Sequence, residues 1–174
     1  MKMTMKAWLV PVLAGAAVCW GSTLAAQDKE EEGNPAAAAK AALSARVSLD
    51  RGLAASASHG RPISAKFEMD EGKLQLSIYT MKGGKFFEVS VDPNSGAVVK
   101  TEPIGEGEDY TAAQSQSAAM AKAKVSLRAA VQRALRGNAG FRAVGVTPSL
   151  KDGRAAADVT LAKGEELKTV SVPL

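Results

Sequence analysis

The sequence predicts an α+β protein built as two repeats, each a helix packed on a three-stranded antiparallel sheet. Two observations carry this. The chain aligns on itself, "MDEGKLQLSIYTMKGGKFFEVSV" (Met69–Val91) matching "LKDGRAAADVTLAKGEELKTVSV" (Leu150–Val172) without a gap at an offset of 81. Within each copy the apolar period also changes from helical to alternating. Upstream, "VSLDRGL" from Val47 and "VSLRAAV" from Val125 align at an offset of 78, so the second copy holds three extra residues between its blocks.

Taken in order, the N-terminus reads as a secretory signal peptide over residues 1–26. Lys2 and Lys6 precede an apolar run from Ala7 to Trp20, which ends in the small-residue "GSTLAA". Cleavage near Ala25 or Ala26 predicts a periplasmic or secreted protein. A retained anchor is the alternative, but the run is short for a bilayer span and Pro11, Gly15 and Gly21 interrupt it. Val18 before Cys19 is bulky for a lipidation signal. Removing the leader takes the only cysteine and both tryptophans with it and leaves a net charge near +2, so burial rather than cross-linking must hold the fold.

The first repeat is expected over 34–101. Asn34 is a candidate N-cap with Pro35 at the first helical position, and Leu49, Leu53 and Ala57 correspond to Leu127, Val131 and Leu135. Gly52 weakens this helix by about 1 kcal/mol relative to alanine. Strands follow around Phe67 and Met69, then Leu74, Leu76 and Ile78, then Phe87, Val89 and Val91, joined by the glycine turns "DEGK" and "MKGGK".

Residues 102–110 read as an acidic linker. The second, degenerate repeat is expected over 111–174. Its helix starts at the capping box Thr111-Ala-Ala-Gln114 and carries Lys122, Arg128, Arg133 and Arg136 opposite its apolar stripe. Ser48 and Ser126 are each able to cap a new helix, so a break at either is the alternative boundary. Units of about 60 residues are near the lower limit for folding without staples, so the copies are expected to share a core or pair their sheets edge to edge.

These residues, "VSLDRGL" through the hairpins to "DPNSGAVV", resemble the PepSY family: Ser-Leu opening a short helix, a D-x-G turn between strands, and a closing D-P-x-[ST]-G turn. The resemblance implies a small extracytoplasmic α+β module with a proposed role in restraining peptidases, and it brings no catalytic residue and no cofactor. The second copy departs from it, since Pro173 stands where Asp92 would recur.

Chemistry-bearing patterns are sparse. His59 is the only histidine, so zinc or copper ligation has little material and no metal site is expected. Ser58-His59 lacks a third orienting group, which predicts no catalytic residue; an enzyme is the least favoured class. Asp70, Glu71 and Asp152 sit beside glycines as turn formers. Phe86 alternates away from Phe87, Val89 and Val91 and points toward the side of Tyr79, making Tyr79 and Phe86 the candidate partner-binding residues, unless the other copy buries them. The expected partner is a peptidase or another extracytoplasmic polypeptide, not nucleic acid. The alternative is a structural or envelope protein whose basic helix face makes peripheral contact with an anionic surface.

Overall fold

The computed structural model describes residues 35–174. In chain order it holds α1 (Pro35–Ala42), α2 (Leu49–Ala55), a 3-10 turn (Ser56–His59), β1 (Arg61–Asp70), β2 (Lys73–Lys82), β3 (Lys85–Val91), β4 (Val98–Ile104), α3 (Gly107–Lys122), α4 (Leu127–Arg136), β5 (Arg142–Lys151), β6 (Arg154–Lys163) and β7 (Glu166–Pro173). The leader, Cys19 and the Asn34 cap lie outside the described residues.

The strands form one antiparallel sheet in the order β4-β3-β2-β1-β5-β6-β7. This overturns the expected two repeats of a helix on a three-stranded sheet. A separate three-stranded sheet would leave the outer edge of β1 and that of β5 as rows of unpaired amides. Instead the two edges pair with each other, with Ala65 opposite Val146 and Lys66 opposite Gly145. Ala65 and Val146 are themselves equivalent at the 81-residue offset, so the two halves meet about an approximate two-fold axis at this pair.

Each half has two helices where one was expected. Ser48 and Ser126 cap α2 and α4, their hydroxyls accepting from Arg51 N and Ala129 N at 3.2 Å. Residues 102–110 are not a linker: Glu102 to Ile104 belong to β4, and α3 begins at Gly107. Thr111 is not its cap but lies one turn inside, donating its hydroxyl to Gly107 O. Glu108 and Asp109 in the first turn complement the exposed amides there instead.

Local devices recur at the sequence offset. Glu71-Gly72 and Asp152-Gly153 both adopt positive φ (48° and 72°, 51° and 75°), the left-handed pair that a two-residue hairpin requires. Both first strands also bulge at equivalent places, between Pro62 and Ser64 and between Ala143 and Gly145.

Side chains opposite one another across a ladder share a face. One face therefore carries Ala65, Phe67, Leu76, Ile78, Val89 and Val91, continued by Val146, Ala157, Val159, Leu161 and Val172, all buried. Leu49 and Leu53 of α2 and Leu127 and Val131 of α4 join them in one continuous core. Helix α2 lies so close that a Cβ on Gly52 would collide with Leu76 Cδ2. Between α2 and α4, Arg128 grips Asp50 through two hydrogen bonds of 2.9 and 2.8 Å. Closing the first half, Asp92 of the "DPNSG" turn accepts from Asn94 N, Ser95 N and Ser95 Oγ at 3.0, 2.7 and 2.8 Å, and Pro93 O takes the amide of Val47.

Candidate functional site

The opposite face is polar in its first half because β1, β2 and β3 alternate. Lys66 and Glu68, then Gln75, Ser77 and Tyr79, then Phe86, Glu88 and Ser90 all point there. Helix α3 crosses this face. Tyr79 donates its phenol to Asp109 Oδ1 at 2.6 Å, and Phe86 meets Tyr110 edge to face with ring centroids 5.6 Å apart.

The two residues expected at a partner surface are thus brought together but covered: Tyr79 is 7% exposed and Phe86 9%. Alternation places Phe86 away from Val89 as read. The helix that buries it comes from the other half of the chain, which local pattern does not encode.

Beside these rings lies a cleft of about 280 Å³ whose walls include Glu68, Asp70, Glu88, Glu102 and Asp109, with Lys66 and Lys100 as its two cations. Ser77, 1% exposed, lies between two of these carboxylates. Its hydroxyl contacts Glu68 Oε1 and lies 2.7 Å from Glu88 Oε1, while Gln75 Nε2 donates to it at 2.8 Å. A serine has one proton to give. Only one of the two carboxylate contacts can be its own donation, so the other needs a proton held by the carboxyl.

The surroundings decide which carboxyl holds it. Burial pushes Glu68 upward, but Lys66 at 2.6 Å, with Ser77 and Gln75, outweighs that and keeps its carboxyl below the usual range. For Glu88, burial dominates, with the charges of Glu68 and Asp109 adding to it, and raises its affinity for a proton despite the bond from Ser77. Of the two carboxyls, Glu88 therefore takes up a proton the more readily. Tyr79 is driven upward by burial first and then by Asp109, so it stays a phenol.

A second chamber of about 130 Å³ adjoins the cleft, sharing Lys66, Tyr79 and Asp109 as walls and adding Ser64, Thr147 and Gln116 of α3. Gln116 is 9% exposed and its Oε1 accepts no hydrogen bond from the described residues. Sequence reading passed over Glu68, Ser77, Glu88 and Gln116. The available signal was the polar half of each alternating strand, which gathers into a patch only when the hairpin registers are applied.

Among the described residues, no group of three His, Cys, Asp or Glu side chains is placed to hold a metal ion. His59, half-buried, has its Nδ1 3.2 Å from Thr101 Oγ1. The basic face is split between two helices. Lys122 ends α3 and donates to Gly153 O, Arg128 is held by Asp50, and Arg133 and Arg136 remain exposed on α4. No helix among the described residues is long and apolar enough to cross a membrane.

At the far side of the sheet, β7 has no outer neighbour among the described residues. Its two-residue hairpin with β6 turns alternate residues inward, and the bond from Leu174 N to Ala155 O continues that phase. The amides of Leu167, Thr169 and Ser171 therefore point outward. Their equivalents in the first half are Phe86, Glu88 and Ser90, which face β4. No family model matches the chain, nor does any curated protein or solved structure.

Proposed function

We propose that the chain is an exported, non-enzymatic PepSY-like binding module, acting in the periplasm or after secretion, that takes an extended polypeptide as an added strand on β7. Restraint of a peptidase is one form such binding takes. The observation that supports this reading is the open edge of β7, where the first half of the same sheet has β4 in place. Main-chain hydrogen bonds to Leu167, Thr169 and Ser171 supply affinity, and the exposed Leu167 side chain supplies an apolar contact.

The test is capture from an extracytoplasmic fraction, together with inhibition of a thermolysin-like peptidase, by the chain and by Thr169→Pro. Proline removes an outward amide without touching the β6 ladder. Loss of capture in this variant supports strand addition; equal capture by both chains contradicts it. The rival reading, contact with an anionic surface, has only Arg133 and Arg136 of the expected basic face free of the engagements of Lys122 and Arg128 described above. Binding of that kind falls steeply with salt, whereas strand addition does not.

A further inference from the structure

We propose that the cleft beneath α3 and its inner chamber form a binding site for a primary ammonium group on an aliphatic stem, as in a small diamine. Three observations converge. The cleft is walled by five carboxylates against two lysines, and both lysines are already paired, Lys66 with Glu68 and Lys100 with Glu102. The inner chamber holds Gln116 Oε1, a buried acceptor with no donor among the described residues, which costs free energy until something donates to it. Glu88, more than half buried and 2.7 Å from the Ser77 hydroxyl, faces this cleft with no lysine paired to it, so an entering cation would supply the partner that its carboxylate lacks among the described residues.

An ammonium group has three donors and no acceptor. It suits a site with surplus acceptors and surplus negative charge. Ala112 of α3 lines the inner chamber and offers apolar contact to a stem. This site lies over β1–β4, away from the β7 edge, and stands or falls independently of strand addition.

The charged and titratable groups that share the cleft with Glu88 are Lys66, Glu68 and Asp70 from β1, Tyr79 from β2, Lys100 and Glu102 from β4, and Asp109 from α3. Since Glu88 takes up a proton more readily than an ordinary glutamate, ammonium binding competes with protonation there. Affinity should therefore fall as pH is lowered through the titration of Glu88.

The experiment is calorimetric titration of the chain with 1,5-diaminopentane, alongside tetramethylammonium, which carries the charge but no N–H donor. The expected result is saturable diamine binding with proton release, no binding of tetramethylammonium, and a loss of about tenfold or more in affinity for both Glu88→Gln and Gln116→Leu. Thermal melts confirm that the variants are folded, and Thr169→Pro should bind the diamine as the parent does. Three results would overturn the proposal: no diamine binding at millimolar concentration, as for a chamber that holds only water; equal binding of tetramethylammonium, as for general charge attraction; or parent-like affinity in Gln116→Leu. Equal affinities for the diamine and for N-acetyl-lysine amide would place the recognition in the ammonium alone, whereas a stronger diamine signal assigns the second amine to the acidic mouth.

Discussion

The two halves of the sheet use one plan and differ in what they leave exposed. In the first half β3 is covered by β4, while the polar face holds Glu68, Ser77 and Glu88 in contact. In the second half β7 is uncovered, and the equivalents of those three residues are Ser149, Asp158 and Thr169. Asp158 is neutralised there by Lys151 Nζ at 2.7 and 3.0 Å, the same lysine reaching Ser171. One half has therefore kept a crowded acidic cleft and closed its edge, while the other has satisfied its charges and kept its edge open.

Proline substitution at equivalent strand positions gives the sharpest contrast. Glu88→Pro removes an amide that faces β4 and should cost about 3 kcal/mol or more, whereas Thr169→Pro should stay within about 1 kcal/mol, both read by urea denaturation. Comparable losses at both sites would mean that β7 has an outer partner.

The core differs as well. Gly52 lies under the bulky Leu76, and its equivalent in α4 is Ala130, matched by the small Ala157. Gly52→Ala should destabilise by about 1–3 kcal/mol through overpacking, despite the better helix propensity of alanine. Combined with Leu76→Ala, the loss should be clearly less than the sum of the two single losses, which a double-mutant cycle reads directly.

The link between the halves is worth less. Arg128→Ala should cost up to about 1 kcal/mol. Arg128 first, against some burial, holds Asp50 below the usual carboxylate range. A group depressed in the folded state stabilises above its unfolded pKa, so this contribution should vanish as pH falls through the folded pKa of Asp50. Glu88 has the opposite sign: its raised pKa favours the fold at low pH and loses that contribution as pH rises through the shifted value. Glu88→Gln should accordingly raise the melting temperature by a few degrees at neutral pH and leave it nearly unchanged at acid pH. Thr169→Gln, in the second half, should do neither.

Much of the local structure was legible in the sequence because its causes are local. The glycine turns after Asp70 and Lys151 force left-handed conformations whatever surrounds them, and Ser48 and Ser126 cap helices through their own neighbours. What escaped was set by partners distant in the chain. Edge-to-edge joining of the sheets was one of the two expected arrangements, but its register, with Ala65 opposite Val146, depends on two edges meeting and not on either strand's composition. The identity of 102–110 as strand end and helix start was hidden by its charges, since Glu108 and Asp109 serve a helix N-terminus as well as they serve a solvated linker. Tyr79 and Phe86 were placed on the correct face of their strands, but a helix from beyond β4 covers them. Glu68, Ser77 and Glu88 looked like ordinary solvent-side residues until the registers of two hairpins stacked them.

Residue-resolved amide hydrogen exchange tests the asymmetry of the two edges most directly. The account predicts that Leu167, Thr169 and Ser171 exchange rapidly in the free protein while Phe86, Glu88 and Ser90 are protected, and that an added strand slows the first group alone. Protection of Thr169 equal to that of Glu88 in the free chain would contradict it.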